Sequence, residues 1–292
     1  MPKQTQKNHT PVLLQEVIDT LKPKIGERYL DLTAGYGGHA REIIDRTQGR
    51  ATLVDRDPSA VEVLRENFTD EKITILHTDF YQASVALQQA GEVFDVILAD
   101  LGVSSPHLDK GVRGFSINHD GPLDMRMDQK QALDATTMVN TYSEDELVRI
   151  LKEYGQEPKA RQIVRGIIEH RPLKTTHELA QICKKAWPGY SRVHPATRTF
   201  QAIRIAVNDE LGQLERSLPL WLQLLRPGGR LGVISFHSLE DAVVKRFFQE
   251  HGGDRYDAEL DVITKRPISA HTNELVFNPR ARSARLRVSK RK

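Results

Sequence analysis

Four short apolar runs in the first hundred residues each lead to an aspartate, and this feature constrains the fold more than any other. The runs lie about one β-α unit apart, and helical hydrophobic patterns fill the intervals between them. Strands buried on both faces are typical of parallel sheets, whose carboxyl ends line a single ligand crevice. We therefore predict an α/β fold with a mostly parallel, Rossmann-like sheet. The acids at its ligand edge are Asp31, Asp55, Asp79 and Asp100.

A glycine-rich turn follows the first predicted strand. Its sequence, Gly35-Tyr36-Gly37-Gly38-His39-Ala40, satisfies the dinucleotide-binding pattern G-x-G-x-x-A, and Asp55 follows about 20 residues later. Taken alone, this pattern is weak and leaves an NAD-dependent hydride-transfer enzyme open. Asp31 favours S-adenosylmethionine instead, because it could accept hydrogen bonds from a cationic amino-acid moiety but would repel a pyrophosphate. Asp79 and Phe80 could offer a polar group and a ring to an adenine.

The composition is ordinary for a soluble globular enzyme. Charged residues make up 28% and hydrophobic residues 39% of the 292 residues, enough chain for one large domain or two smaller ones. No apolar stretch approaches the roughly 20 residues of a membrane span, and no signal-peptide pattern opens the chain. The single cysteine, Cys183, precludes an internal disulfide and lies in a helix-core pattern. These features predict a cytoplasmic protein.

Basic residues are unevenly distributed along the chain. The formal net charge of +3 is too small to indicate a nucleic-acid partner, but residues 184–204 and 278–292 contain several cations and no acid. Such clusters attract phosphate backbones, although a solvated face or a disordered tail has the same composition. Charge alone does not distinguish a nucleic-acid contact from a solvated face or a disordered tail. The second cluster comprises Arg280, Arg282, Arg285, Arg287, Lys290, Arg291 and Lys292.

The strand-helix alternation stops after Asp100. Residues 106–128 contain several glycines and prolines and no lasting period, which predicts a long loop of the kind that is often functional. From Ser143, which opens a capping box with Glu146, the hydrophobic period becomes helical. Further helices are predicted to begin near Pro158, Thr176 and Pro195.

The α/β pattern resumes near residue 208. It predicts a helix over 208–225 with a kink or break at Pro219, a turn at 227–229, and a strand over 230–236 followed by a helix. Two later β-like stretches, near 260–266 and 283–289, suit a terminal hairpin at the sheet edge. A helical module of about a hundred residues is thus predicted to be inserted after the fourth strand.

The segment from Asp100 to His107 occupies the position where amino-group methyltransferases keep their reactive loop. The exocyclic amine of cytosine is a poor nucleophile, because its lone pair is delocalised into the ring. Methyl transfer therefore needs in-line positioning and an acceptor for the amine proton. Asp100 could be that acceptor, with Ser104 and Ser105 supplying hydroxyls or carbonyls, although ordinary turn chemistry also explains these serines. The sulfonium is already an activated leaving group, and the scattered histidines lack metal-ligand spacing, so no metal is expected.

Eight motifs, in order along nearly the whole chain, match one family. They are Gly35-Tyr36-Gly37-Gly38-His39, Asp55-Arg56-Asp57, Asp100-Leu101-Gly102-Val103-Ser104-Ser105-Pro106, Arg113-Gly114-Phe115-Ser116, Gly121-Pro122-Leu123-Asp124-Met125-Arg126-Met127-Asp128, His194-Pro195-Ala196-Thr197-Arg198-Thr199-Phe200-Gln201-Ala202, Ser235-Phe236-His237-Ser238-Leu239-Glu240-Asp241 and Asn278-Pro279-Arg280-Ala281-Arg282-Ser283. The chain resembles the bacterial small-subunit (16S) ribosomal RNA cytosine-N4-methyltransferases. The resemblance implies N4-methylation of a cytosine in the decoding centre, near the P site, with S-adenosylmethionine as donor.

The resemblance also implies an architecture and a partner. A Rossmann-like class I methyltransferase domain would comprise residues 1–104 and 206–292, and an inserted, all-helical RNA-recognition domain would comprise residues 105–205. The implied partner is 16S rRNA, in the small ribosomal subunit or a late precursor of it. The family's cofactor contacts fall on Gly37, Gly38, His39, Asp55, Phe80, Asp100 and His107. The family usually has glutamine at His107, and an imidazole can replace only one of the two hydrogen bonds of that amide.

Four arginines of the insert are candidate RNA contacts, namely Arg161, Arg165, Arg198 and Arg204. On the predicted fourth helix, Arg204 shares one face with Thr197, Gln201 and Asn208, opposite an apolar face. This polar face is either solvated or a stripe that contacts phosphates and bases. An RNA substrate favours contact.

Two other functions stay open at this point. A DNA amino-methyltransferase is possible, although Ser105-Pro106-His107 departs from the Pro-Pro-aromatic sequence that usually follows the acidic or serine residue in those enzymes. A ribosome assembly factor that binds the cofactor and RNA without chemistry is the other alternative.

Overall fold

The computed structural model describes residues 11–102, 111–190 and 193–292, except for the side chain of Arg280. The chain splits into two compact units. Unit 1 comprises Met1–Gly102 and Leu211–Lys292, and unit 2 comprises Val103–Glu210. The boundaries predicted from the sequence lay after residues 104 and 205.

The described residues form seven strands in one sheet and the α-helices numbered below. The strands are β1 (Tyr29–Asp31), β2 (Ala51–Asp55), β3 (Ile73–His77), β4 (Phe94–Asp100), β5 (Leu225–Ser235), β6 (Leu260–Val262) and β7 (Arg285–Arg291). The helices are α1 (Leu14–Leu21), α2 (Gly38–Thr47), α3 (Pro58–Asn67), α4 (Phe80–Gln89), α5 (Ala135–Thr141), α6 (Glu144–Glu153), α7 (Ala160–Glu169), α8 (Thr176–Ala186), α9 (Thr197–Asn208), α10 (Glu210–Leu224), α11 (Ser238–His251) and α12 (Thr272–Phe277).

Unit 1 is a Rossmann-like α/β fold around a mostly parallel sheet. The strand order is β3-β2-β1-β4-β5-β7-β6, with the first five strands parallel and β7 antiparallel to both of its neighbours. The two terminal strands therefore lie at one sheet edge, as the sequence predicts. The chain reverses strand order on either side of β1, the place where open α/β sheets leave a crevice at the carboxyl ends of their strands.

The strands of the sheet centre are buried on both faces. In β4, Ile97 faces one side, where Trp221 of α10 and Phe248 of α11 pack, and Leu98 faces the other, against Leu21 of α1. These side chains are fully or almost fully buried, and apolar burial of this kind contributes about 25 cal/mol per Å² to stability. The aspartates at the strand ends are therefore anchored by the rigid centre of the unit.

The predicted aspartates lie at the carboxyl edge of the sheet. Asp31, Asp55 and Asp100 are the last residues of β1, β2 and β4. Asp79 lies two residues beyond β3 and caps α4, where its Oδ1 accepts a hydrogen bond from the backbone N–H of Gln82 at 2.8 Å. Asp79 thus has a local structural role at the helix start.

The structure differs from the sequence-based expectation at two places near β5. Helix α10 does not break at Pro219, because Leu218, Trp221 and Leu222 on either side of it are buried against the sheet. Residues 227–229 form no separate turn before the strand. They belong to β5 and form a bulge, where the pairing with β4 shifts register between Phe94 and Val96.

Unit 2 is helical and has a core of its own. Ser143 and Glu146 form the predicted capping box at the start of α6. Helix α8 is capped by Thr175 together with Glu178, one residue earlier than predicted, and Thr176 is buried. Cys183 of α8 is buried in this core, and burial raises the pKa of its thiol to about 12, so it is a packing residue.

The length and polarity of the helices show whether any of them could span a membrane. In the part of the chain that the structure describes, no helix combines the length and the apolar character needed to cross a bilayer.

Candidate cofactor and active site

Asp31 is a buried acid at the carboxyl edge of the unit 1 sheet, with 2% of its surface exposed. The hydroxyl of Tyr29 donates to its Oδ2 at 2.7 Å, and the backbone N–H of Thr33 donates to its Oδ1 at 3.2 Å. Burial, together with the charge of Asp55, raises the pKa of Asp31 to about 7, although the two hydrogen bonds act in the opposite direction. Ionised Asp31 is therefore stabilised by any cation that binds beside it.

Asp55 joins the end of β2 to the glycine turn. Its Oδ2 accepts a hydrogen bond from the backbone N–H of Gly35 at 2.7 Å, and its Oδ1 accepts one from that of Asp57 at 2.8 Å. A carboxylate offers about four lone-pair sites, so Asp55 retains the capacity to accept hydroxyl hydrogens from a ligand. It shapes the turn and can bind a ligand at the same time.

The glycines of the turn have different physical roles. A Cβ atom on Gly37 would overlap the ring of Phe68, and one on Gly38 would overlap Pro11, so these two positions are glycine because of packing. Gly35 has a φ of +53°, and within the part of the chain that the structure describes, a Cβ atom there would meet only the carbonyl oxygen of Thr33, at 4.0 Å. Gly35 thus offers the open backbone that a ligand can approach, although the resemblance had carried the cofactor contact onto Gly37 and Gly38.

Asp100 ends β4 beside Asp31. Its backbone N–H donates to the hydroxyl of Thr33 at 2.6 Å, and 24% of its side chain is exposed. Its Oδ1 atom is buried and finds no hydrogen-bond partner among the described residues. Burial raises the pKa of Asp100 well above its usual value, and the carboxyl groups of Asp31 and Glu240 raise it further. Asp100 is therefore an acid without a lysine or arginine partner among the described residues, and its raised pKa favours the protonated form.

His39 lies beneath the turn, with 6% of its surface exposed. Its Nε2 lies 2.9 Å from the carbonyl oxygen of Val12, and because a carbonyl can only accept, Nε2 carries the hydrogen. Burial lowers the pKa of His39 to about 4, so the ring is neutral and its Nδ1 is an acceptor. This Nδ1 lies 3.6 Å from Oδ2 of Asp100. The structure thus places His39 behind Asp100, and its direct contact with a cofactor stays a prediction.

Phe80 begins α4 next to the end of β3. Its ring packs edge-on against Trp221 with the ring centroids 5.7 Å apart, and it is only partly buried. Trp221 is in turn held by its Nε1, which donates to the hydroxyl of Ser84 at 2.9 Å. The exposed part of a ring held in this way can stack on a planar group such as an adenine.

Glu240 is a further acid at this edge that the sequence analysis did not single out as a site residue. It is 2% exposed, and its Oε2 accepts hydrogen bonds from the backbone N–H groups of Phe236 at 2.8 Å and His237 at 3.3 Å. The available signal was the motif from Ser235 to Asp241, in which an acid three residues after a helix cap indicates a capping box. Its proximity to Asp100 could not be read from that pattern.

The comparisons with known proteins settle the family. A model of the MraW methylase family matches residues 6–292. The chain belongs to this family. It is 46% identical to the "Ribosomal RNA small subunit methyltransferase H" of Crocosphaera subtropica over 293 residues, covering 97% of this chain and 89% of that protein. Proteins of the same name from Cyanothece sp. and Heliobacterium mobile are 48% and 43% identical; the matches cover 97% of this chain and 94% and 99% of those proteins.

As a member of the MraW methylase family, the chain is a methyltransferase that uses S-adenosylmethionine. The residues of the edge fit this cofactor, whose methionine part carries an ammonium group and a sulfonium. Asp31 is buried and Asp100 is partly buried, and neither acid has a lysine or arginine partner among the described residues. Family membership also excludes the NAD-dependent alternative that the glycine pattern had left open.

The sequence also predicted catalytic roles for Ser104 and Ser105 and a cofactor contact for His107. These three residues lie outside the described residues. The four predicted RNA contacts all lie in unit 2. Arg161, Arg165 and Arg198 are exposed, and Arg165 lies 3.8 Å from Glu144 in an exposed ion pair. Arg204 differs, because its Nε and a terminal nitrogen both donate to Glu210 at 2.9 Å.

The polar stripe on α9 has a third role that the sequence analysis did not consider. Asn208 is 2% exposed; its side-chain oxygen accepts from the backbone N–H of Met127 and its side-chain nitrogen donates to the carbonyl of Met125. Gln201 donates to the carbonyl of Tyr154. The stripe therefore holds the 121–128 loop and a neighbouring helix end within unit 2.

The basic tail is also largely structural. Arg287 is buried, and its guanidinium donates to both carboxylate oxygens of Asp241, at 2.6 and 3.1 Å. Although burial alone raises the pKa of Asp241, Arg287 and Arg285 hold it below its usual value. Arg291 donates to backbone carbonyls at the end of α10, including that of Leu222. These charges stabilise unit 1, so the tail is not a disordered cationic arm.

Proposed function

We propose that this protein methylates the exocyclic N4 amine of a specific cytosine in the decoding centre of 16S rRNA, near the P site, with S-adenosylmethionine as donor. The observation that carries the proposal is Asp100 at the end of β4, with a buried Oδ1 that lacks a hydrogen-bond partner among the described residues, at the start of the Asp-Leu-Gly-Val-Ser-Ser-Pro motif. The names of the relatives support ribosomal RNA of the small subunit as the substrate.

The chain's own residues have distinct roles in this reaction. Bound S-adenosylmethionine would supply an electrophilic methyl group, whose bond to sulfur would break as its bond to the cytosine N4 forms. Asp31 would pair with the cationic methionine part, Asp55 would accept hydrogen bonds from the ribose hydroxyls, and Phe80 would contact the adenine. Asp100 accepts the proton that N4 loses, which requires its carboxyl group to be ionised. Ser104 and Ser105 orient the amine through hydroxyl or carbonyl oxygens.

The ionisation of Asp100 follows from binding. Like charges on Asp31 and Glu240 and burial favour its protonated form. A cationic ligand next to Asp31 and Asp100 offsets both effects and lowers their pKa values. Asp100 therefore becomes a base when the cofactor is bound, and the same charge compensation favours binding.

The helical insert serves RNA recognition in this proposal. A paired and stacked base cannot reach a methyl donor, so the target nucleotide must be single-stranded or flipped out, with its backbone held by cations. Exposed Arg161, Arg165 and Arg198 of unit 2 supply such cations. The substrate is the small ribosomal subunit or a late precursor of it.

The proposal is tested by methyl transfer from tritiated S-adenosylmethionine to small ribosomal subunits from a strain that lacks this protein. We expect label in 16S rRNA, at one cytosine, with N4-methylcytidine as the nucleoside identified by mass spectrometry. Naked duplex DNA and an Asp100→Asn variant serve as controls. Label in DNA but not in rRNA would indicate a DNA amino-methyltransferase, and cofactor binding without any transfer would indicate an assembly factor.

A further inference from the structure

Helix α12 of unit 1 presents two apolar side chains to solvent. Val276 is 70% exposed and Phe277 is 87% exposed, whereas Leu275 on the same helix packs against the unit 1 core. An isolated exposed apolar residue is common on protein surfaces, so exposure alone assigns no partner. The charge and the location of this helix indicate which kind of partner it binds.

The chain around α12 is strongly basic. Residues 263–285 contain Lys265, Arg266, Arg280, Arg282 and Arg285 but only one acid, Glu274. The Oε1 atom of Glu274 accepts the backbone N–H of Leu13 at 2.9 Å, and Arg285 is paired with Asp241. Lys265, Arg266 and Arg282 are exposed, and Glu16 lies 3.8 Å from His271 at the start of the helix, so the segment 263–285 keeps a net positive charge.

The helix also lies at the edge of the sheet that carries the acids. Glu274 binds the N–H of Leu13, and the carbonyl of the preceding residue, Val12, accepts the hydrogen bond of His39. His39 faces Asp100. A short run of contacts within unit 1 therefore joins α12 to the end of β4.

We infer that Val276, Phe277 and Arg282, called the α12 surface, contact single-stranded RNA next to the target nucleotide, with an unpaired base stacked on Phe277 and a neighbouring phosphate held by Arg282. This inference rests on the proposed function. An exposed aromatic ring among cations is the usual platform for unpaired bases, because every base has a face that stacks and every linkage carries a negative charge.

The chain contains a matched control for this surface. Tyr256 is also an exposed aromatic residue, but it lies in the segment Asp254-Arg255-Tyr256-Asp257, whose net charge is negative. Acids repel a phosphate backbone, so removal of this ring tests for a general effect of losing an exposed aromatic group.

The test measures binding and catalysis with Phe277→Ala, Phe277→Tyr, Arg282→Ala and Tyr256→Ala. The probes are a single-stranded oligoribonucleotide for binding and small ribosomal subunits lacking the modification for transfer. Phe277→Ala should weaken RNA binding and raise the KM for subunits by about tenfold, with kcat and cofactor affinity unchanged, because stacking acts only on the substrate. Phe277→Tyr should retain both values. Arg282→Ala should lower the slope of log Kd against log salt by about one.

Two outcomes would overturn the inference. Phe277→Ala and Tyr256→Ala could behave alike while the wild type methylates rRNA normally, in which case α12 does not contact RNA. Sedimentation could instead show that Phe277→Ala dissociates an oligomer, in which case the surface joins copies of this chain. If the wild type transfers no methyl group to rRNA, the proposed function fails, and the oligoribonucleotide measurement still decides whether the α12 surface binds RNA.

Discussion

Nδ1 of His39 lies 3.6 Å from Oδ2 of Asp100, and the opposite ring nitrogen of His39 donates to the carbonyl of Val12. Because the ring is neutral and its hydrogen is on Nε2, it presents a lone pair to Asp100. A lone pair stabilises a protonated carboxyl group and disfavours a carboxylate. His39 therefore adds to the surroundings that keep Asp100 protonated until a cation arrives.

Asp100 should contribute more to turnover than to cofactor binding. Asp100→Asn retains the shape of the side chain but removes the group that accepts the amine proton. We expect kcat to fall about 100-fold or more, the usual scale of one acid-base contribution, with a smaller change in cofactor affinity. Single-turnover kinetics and calorimetry measure the two effects. An equal loss in both would make Asp100 a binding residue and place the proton acceptor elsewhere.

His39 should make the protein sensitive to acid. Its pKa is about 4 in the folded state and about 6.5 when unfolded, so the unfolded chain binds more protons between these values and folding stability decreases as pH falls through this window. His39→Gln can still donate to the carbonyl of Val12 but does not titrate. Urea unfolding of both proteins at a series of pH values should show a smaller acid-induced loss in the variant; parallel curves would contradict the assignment of a neutral, buried ring.

Asp31 should have the opposite effect. Its folded pKa of about 7 lies above the ordinary aspartate pKa of 3.8, so the folded state binds more protons between these values, and stability decreases as pH rises through this window. Relative to the wild type without cofactor, Asp31→Asn should therefore gain stability between about pH 4 and pH 7. The same variant should bind S-adenosylmethionine more weakly. Thermal unfolding with and without cofactor measures both, and a constant difference between the proteins at all pH values would refute the buried, uncompensated state of Asp31.

Asp55 should combine a structural and a binding role. Asp55→Ala removes the acceptor for the N–H groups of Gly35 and Asp57 and for the ribose hydroxyls. We expect cofactor binding to weaken by about 1–3 kcal/mol, the usual cost of an unpaired charged hydrogen bond, together with a lower free energy of unfolding. Calorimetry of the folded variant is the measurement. Unchanged cofactor affinity would show that Asp55 serves the turn alone.

Arg198 and Arg204 should separate RNA binding from folding. Arg198 is exposed, so Arg198→Ala should weaken RNA binding and lower its salt slope by about one, with stability unchanged. Arg204→Ala leaves Glu210, whose side chain is 9% exposed, without its partner and should lower the free energy of unfolding by about 1–3 kcal/mol. A larger change in salt slope for Arg204→Ala than for Arg198→Ala would reverse the two roles.

The parts of the fold that local patterns specify could be predicted from the sequence. The strands that end at Asp31, Asp55 and Asp100 are apolar runs bounded by turn residues, and the start of α6 follows from Ser143 and Glu146 within one helical turn. The family motifs are likewise continuous stretches of chain. Each of these features depends on neighbours a few residues apart, where spacing alone determines which side chains meet.

Only the tertiary structure decided which polar residues are available to a ligand. Asp241 pairs with Arg287 across 46 residues, and Asn208 binds the backbone of Met125 across 83 residues, so residue types typical of RNA contacts hold the fold instead. Gly35 is open while Gly37 packs against Phe68, although both belong to one motif. No local period encodes such pairs, because they depend on where distant elements come to rest. The sequence by itself determined the sheet, its acidic edge and the family, whereas burial and long-range pairing determined the charge state of the edge and the residues left free to act there.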